Sequence, residues 1–312
     1  MPDILCMGEP MLELNQQPQA PDGRVLYLEG HGGDTSNAAI AAARSGASVG
    51  MITAIGQDWP GDSFMALWRR EGVDTSCVLR SAEAPTGIYL VTHDAAGHHP
   101  SFWRAGSAAS RYRWQDVPEA AIRAARVLHV SGISQAISES ACDAVFHAIG
   151  IARAAGVRVS YDTNLRLRLW PVRRAAAVMH AAIAEADLCL PSFEDAEALT
   201  GLQDPDAIAD FYLRLGCPLV LLKLGARGAL VATPARRERI PPHRVAAVDA
   251  IGAGDTFAGA FLARHVAGED PFAAARYANA AAALTTTGYG AVAPIPRREA
   301  VEALLRAAED GA

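Results

Sequence analysis

The run Asp249-Ala250-Ile251-Gly252-Ala253-Gly254-Asp255-Thr256-Phe257-Ala258-Gly259 sorts this chain among the α/β architectures. An apolar run, Val245–Val248, precedes it, and a helical pattern over Gly252–Val266 follows. Gly252-Ala253-Gly254 therefore reads as a turn into a helix N-terminus. Unpaired amides and the helix dipole favour an anion at such a place. Asp255 stands in the first turn. There it either complements the dipole as a helix-start residue or, in a kinase, accepts the proton of an attacking hydroxyl. Two rival phosphate turns are excluded by residue. The dinucleotide fingerprint G-x-G-x-x-G needs glycine at position 257, which is Phe257. A P-loop needs Gly-Lys-Ser/Thr, and the single lysine, Lys223, is followed by Leu224.

Outward from that turn, short apolar runs alternate with alanine-rich amphipathic stretches. Ile4–Gly8, Val49–Ile55, Val127–Ser131, Val157–Asp162, Leu188–Pro191 and Leu219–Leu224 read as strands. Thr35–Ser45, Ser63–Glu71, Glu139–Ala155, Val172–Ala184 and Pro205–Leu215 read as helices, as do Pro271–Thr287 and Arg297–Ala308 near the end. Strand and helix in alternation predict a parallel sheet covered on both faces. Two regions break the rhythm. Leu12–Glu29 and Gly87–Arg104 carry strand-like pieces with no helix between, and Asp94-Ala95-Ala96-Gly97 reads as a turn. They are expected to pair into a small separate sheet that works as a lid.

The 312 residues are 51% hydrophobic and 20% charged, an ordinary globular composition. A net charge of −6 argues against a nucleic-acid binder, which needs a basic face. No unbroken apolar run is long enough to span a membrane, and the first residues lack the basic segment of a secretory signal. Five scattered cysteines with no C-x-x-C pair suggest neither a disulfide framework nor a thiolate metal site. A cytoplasmic setting is the expectation.

The Gly-Ala-Gly-Asp turn followed by a helix resembles the C-terminal signature of the PfkB (ribokinase-like) carbohydrate kinases. Gly32-Gly33-Asp34-Thr35-Ser36-Asn37-Ala38-Ala39 resembles their N-terminal signature. Between the two lie weaker markers in the same order: Thr86-Gly87-Ile88-Tyr89, Val130-Ser131-Gly132-Ile133, Lys223-Leu224-Gly225-Ala226-Arg227-Gly228 and Ala278-Asn279-Ala280-Ala281-Ala282. The resemblance runs from Gly8 to about Pro296. It implies one ribokinase-like kinase domain over residues 1–312, a three-layer α/β/α unit of about nine strands, with a lid from about 12–30 and 86–105. It also implies ATP and Mg²⁺ as reaction partners. Asp255 is then the catalytic base, and the amides of Gly252, Ala253 and Gly254 form the anion hole. Ser192, Lys223, Gly225, Gly228 and Asn279 match positions on the nucleotide side. The family's N-x-x-E motif appears as Ser192-Phe193-Glu194-Asp195, so no protein metal ligand is assigned and Mg²⁺ is expected on phosphates and water.

Charge separates the substrates that such kinases take. A neutral sugar needs hydroxyl partners, whereas a sugar acid needs a cation, and arginine meets a carboxylate with a planar two-pronged donor. Arg104 ends the second lid strand in Phe102-Trp103-Arg104. Arg166 follows a strand end in Tyr161-Asp162-Thr163-Asn164-Leu165-Arg166, where open α/β sheets build their sites. Both segments, and Gly8-Glu9-Pro10-Met11-Leu12-Glu13-Leu14, resemble the 2-keto-3-deoxygluconate kinases within the family. The resemblance implies substrate contacts from Gly33, Asn37, Tyr89, Trp103, Arg104, Ile133 and Arg166. The usual lid tyrosine is Trp103 or Phe102 here. A kinase for a neutral sugar such as fructose or ribose is the alternative. A homo-oligomer formed through the lid is also expected, with no nucleic-acid or membrane partner.

Overall fold

The computed structural model describes residues 1–94 and 97–310. Thirteen strands fall into two sheets. In chain order they are β1 (Ile4–Met7), β2 (Met11–Gln16), β3 (Tyr27–Gly32), β4 (Val49–Gly56), β5 (Val78–Ser81), β6 (Gly87–Asp94) and β7 (Gly97–Trp103), then β8 (Val127–Ser131), β9 (Arg158–Asp162), β10 (Leu188–Cys189), β11 (Val220–Lys223), β12 (Ala229–Ala232) and β13 (Arg237–Ile240). Nine of them form the central sheet in the order β13-β12-β11-β10-β9-β8-β1-β4-β5. It is parallel except at one edge, where β12 and β13 return antiparallel.

The strands of the sheet centre are apolar on both faces because helices cover both. Ile4 and Cys6 point to one core, Leu5 and Met7 to the other. The first core is closed by α1 (Asp34–Arg44), α2 (Trp59–Glu71), α9 (Ala253–Val266), α10 (Pro271–Thr285) and α11 (Arg298–Asp310). The second is closed by α3 (Glu119–Ala124), α5 (Glu139–Ala154), α6 (Val172–Ala184), α7 (Phe193–Thr200) and α8 (Pro205–Leu215). A short α4 (Gly132–Ala136) follows β8 directly. This is the expected α/β/α layering, with continuous apolar runs marking strands buried on both sides. Among the described residues no helix is long and apolar enough to cross a membrane.

The second sheet is the four-stranded lid, β3-β2-β6-β7. Its central pair β2–β6 is parallel, and both outer pairs are antiparallel. The turn read at Asp94-Ala95-Ala96-Gly97 has its two middle residues outside the described residues. Period two divides the lid's side chains between its faces. Glu13, Tyr89 and Phe102 pair across one face, and Leu12, Ile88 and Trp103 across the other.

Two helices decide where the site forms. α1 and α9 lie against one another across the start of the sheet, and Gly259 makes the closest approach. A methyl built on Gly259 would stand 2.1 Å from the carbonyl oxygen of Ala38. Any side chain there would push the helices apart. Their small-residue faces thus bring residue 37 and residue 255 together across more than two hundred positions.

Candidate active site

The site lies at the ends of β8, β9 and β11, with the start of α9 above them. Gly252, the residue before α9, has φ 76°, and a methyl on it would stand 2.7 Å from the Ala291 carbonyl oxygen. Glycine alone fits this tight left-handed turn. The amide of Ala253 is taken up by the Ala250 carbonyl at 3.2 Å. A turn thus engages this donor, one of the three amides expected to form the anion hole. The amides of Gly254 and Asp255 make no such bond and stay open at the helix start.

Asp255 is held from two sides. Asn37 Nδ2 donates to its Oδ2 at 2.8 Å, and Asn164 Nδ2 donates to its Oδ1 at 3.3 Å. Asn164 adopts φ 34°, the one non-glycine residue with positive φ among those described. Such a backbone costs energy and is kept where the surroundings determine it; here the turn aims the side-chain amide at the carboxylate. The pKa of Asp255 is pushed up to about 7, first by loss of water around the carboxylate and then by repulsion from Asp34. Its bond from Asn37 and the nearby Lys223 oppose that rise. A carboxylate poised near neutrality suits a general base.

Lys223, the last residue of β11, donates from Nζ to Asp162 Oδ2 at 2.6 Å. A methyl on Gly254 would stand 3.4 Å from the same Nζ. The ammonium therefore sits between the strand ends and the glycine turn. Together, the open amides and this cation make a cradle of the chemistry that phosphate oxygens need, so the residues present fit a nucleotide's phosphates. Among the described residues no group of three or more His, Cys, Asp or Glu is arranged to hold a metal. A divalent cation here would be carried by phosphates and water, as Mg²⁺ prefers.

The other candidates divide by what they touch. Ser192 caps α7, accepting from the Asp195 amide at 3.1 Å. Asp195 itself fastens the β9 loop, accepting from Thr163 Oγ1 at 2.8 Å and from the Leu165 amide at 3.1 Å. Gly225 and Gly228 bracket the turn after β11, and Asn279 Nδ2 donates to the Pro241 carbonyl at 2.8 Å. Gly33 precedes α1, and Ile133 is half-buried on α4 beside the end of β8.

On the lid, Tyr89 donates its hydroxyl to Glu13, and its ring stacks on Phe102 with centroids 5.6 Å apart. Burial and the negative fields of Glu13, Asp255 and Asp249 raise the tyrosine's pKa. A methyl on Gly32, beside the turn into α1, would stand 2.7 Å from the Tyr89 hydroxyl oxygen, so the Tyr89–Phe102 face lies on the side of that turn. Trp103, the other aromatic expected against the substrate, lies elsewhere on the lid. It alternates onto the opposite face and is 57% exposed, so Phe102 is the aromatic neighbour of Tyr89.

The two arginines differ. Arg104 is half-buried and ion-paired to the buried Glu9, which sits where β1 leads into β2. Arg166 is exposed, makes no ion pair among the described residues, and donates Nη1 to the Leu165 carbonyl at 2.9 Å. Its charge reaches Asp34, a buried carboxylate bonded by Ser131 Oγ. Burial raises the pKa of Asp34, and Arg166 opposes the rise. Asp34 and Glu9 are polar groups to which motif reading assigned no role. Their signal was a buried polar residue in or beside a signature, and their partners lie far off in sequence.

Residues 1–298 match the pattern of the pfkB family carbohydrate kinases. The chain is 35% identical to a 2-dehydro-3-deoxygluconokinase of Thermoproteus tenax, covering 98% of this chain and 95% of that one. It is 34% identical to fructokinase-1 of Oryza sativa subsp. japonica, covering 90% of each. A solved structure from E. coli, described as a ribokinase II in complex with ATP and Mg²⁺, superposes with a TM-score of 0.90 at 25% identity, covering 98% of this chain and 100% of that one.

Proposed function

Since the chain belongs to the pfkB family of carbohydrate kinases, we propose that it transfers the γ-phosphoryl group of ATP to the terminal hydroxyl of 2-keto-3-deoxygluconate. The product is 2-keto-3-deoxy-6-phosphogluconate. The observation that carries this reading is Arg166, an exposed cation with no carboxylate partner among the described residues, two residues from the Asn164 amide that touches Asp255. A neutral sugar gives such a guanidinium nothing to pair with, whereas a sugar acid does. The 2-dehydro-3-deoxygluconokinase relative of T. tenax supports the same substrate.

The residues divide the work. Arg166 supplies net positive charge for the carboxylate. Arg104, already neutralised by Glu9, contributes directed donors rather than net charge. Tyr89 and Phe102 cover the sugar from the lid and exclude water, which limits loss of phosphate to hydrolysis. Gly33, Asn37 and Ile133 line the floor. Asp255 takes the proton from the terminal hydroxyl as its oxygen bonds to phosphorus and the bond to the ADP oxygen breaks. The Gly254 and Asp255 amides and Lys223 stabilise charge on the phosphoryl oxygens. Mg²⁺ arriving with the nucleotide would neutralise charge on its β- and γ-oxygens. Ser192, Gly225, Gly228 and Asn279 shape the nucleotide side.

A second reading, a fructokinase, is favoured by the rice relative and by the pairing of Arg104 with Glu9. One experiment separates them: kcat/KM for 2-keto-3-deoxygluconate and for fructose, on wild type and Arg166→Ala. The sugar-acid reading expects the acid to be preferred ~10²-fold or more in wild type, a ratio a polar site can impose. Arg166→Ala should raise KM for the acid about tenfold or more, consistent with ~1.5–3 kcal/mol for a hydrogen bond to a charged group, and leave KM for ATP nearly constant. Preference for fructose, or equal loss on both sugars, replaces this reading with the second.

A further inference from the structure

We propose that Glu9 is a positioning residue for the substrate, holding the Arg104 guanidinium in the orientation in which it meets the acidic group of the sugar. The inference rests on the sugar-acid reading above. Several segments meet at Glu9. It lies between β1 and the first lid strand with 1% of its surface exposed. Arg104, just past the last lid strand, donates Nη2 to Oε2, with the two side chains 13% and 0% exposed. Ser107 Oγ donates to Oε1 at 3.4 Å. A methyl on Gly87, the first residue of β6, would stand 3.5 Å from Oε1, and one on Gly33 would stand 2.4 Å from the Glu9 carbonyl oxygen. Glu9 therefore adjoins both limbs of the lid and the turn that opens α1.

The chemistry of the pair explains why it is built this way. An arginine side chain is long and loses much rotamer freedom when fixed. A carboxylate behind it fixes one end of the fork. Burial pushes the Glu9 pKa up and Arg104 pulls it back, so each group depends on the other. Arg104 Nε is buried with no partner, so the guanidinium keeps an uncommitted donor after Glu9 has taken Nη2. A buried donor left open in this way calls for an acceptor, and the carboxylate or keto oxygen of a sugar acid supplies one.

The test uses the full chain and steady-state kinetics with 2-keto-3-deoxygluconate and ATP for wild type, Glu9→Gln, Glu9→Asp and Glu9→Ala. Glutamine keeps an oxygen acceptor at the same distance, so KM for the acid should stay within about threefold of wild type. Aspartate keeps the charge but retracts it by one methylene, and alanine removes the acceptor. Both should raise that KM about tenfold or more, with kcat at saturation falling less than threefold and KM for ATP constant. A role in stability alone would make glutamine as damaging as alanine, or move both KM values together, and either result overturns the proposal. Where Glu9→Ala does not fold, the comparison of Gln with Asp decides, and an unchanged KM in Glu9→Asp overturns it equally. Failure of wild type to phosphorylate the keto-deoxy acid overturns the substrate reading and this proposal together. Normal wild-type turnover with the wrong variant pattern overturns this proposal alone.

Discussion

Asp255 concentrates the chemistry because three effects act on one carboxyl. Crowding by protein removes water, Asp34 repels its charge, and the Asn37 amide holds it in place. Its pKa near 7 sets a pH dependence with a definite sign. A base works only when ionised, so kcat/KM, which reports the free enzyme, should rise tenfold per pH unit below about 7 and level off above it. An ordinary aspartate would keep the plateau down to about pH 4. Asp255→Asn should lower kcat by ~10²–10⁴-fold while ATP binding, read by calorimetry, changes little. Retention of a tenth of wild-type kcat removes Asp255 from this role. At this scale the sequence was legible where chemistry and backbone coincide. Gly252 and Asp255 sit together in one turn, and a short motif carries both. Asp34, Asp162 and Asn164 were not legible in the same way, because what makes them matter is a partner 61 to 97 positions distant: Ser131 for Asp34, Lys223 for Asp162, Asp255 for Asn164.

Among the elements, the buried strands and long helices match the periodicity closely because burial imposes it. Val127–Ser131, Val172–Ala184 and Pro205–Leu215 end at the expected residues. The misses have local causes. α2 begins at Trp59 rather than Ser63, since Asp58 accepts from the Gly61 amide and caps the earlier start. The edge strand β13 reads as a charged Arg237-Glu238-Arg239 run. Its arginines pair with Asp206 and Asp210 of α8, so ion pairs cover an edge that apolar residues would leave sticky. In the lid, alternation separates two adjacent aromatics. Phe102→Ala should raise KM for the sugar about two- to tenfold, the scale of an aromatic contact worth ~0.5–1.5 kcal/mol. Trp103→Ala should leave that KM within about twofold and instead weaken self-association, measured by light scattering. Tyr27, Leu28 and Trp103 are exposed on the lid's outer strands, and the lid pairing that the family resemblance implies would cover them. A Trp103→Ala protein with raised KM and unchanged mass returns Trp103 to the substrate.

For the whole molecule, the contact between α1 and α9 carries the site. Gly259→Ala puts a methyl where the Ala38 carbonyl stands, and the backbone must move. Overpacking of this kind costs ~1–3 kcal/mol, so a melting temperature lowered by several degrees is the expected result. The same shift draws Asn37 away from Asp255, so kcat should fall even at temperatures where the protein is fully folded. Normal kcat in a destabilised Gly259→Ala protein would show that the Asn37 contact does not matter to the base. Alternating apolar runs were enough to specify the layered sheet, because a strand covered on both faces must be apolar throughout and a covering helix must repeat at 3.6 residues. The glycine turn and its aspartate were likewise written locally. Which charges meet was decided only on folding. Arg104 and Arg166 are the same residue type, yet one is half-buried and paired with Glu9 and the other makes no ion pair among the described residues. Periodicity records which face a residue takes, but a partner ninety-five positions away is set by how the lid folds back over the sheet, and electrostatic character follows that distance rather than the residue's name.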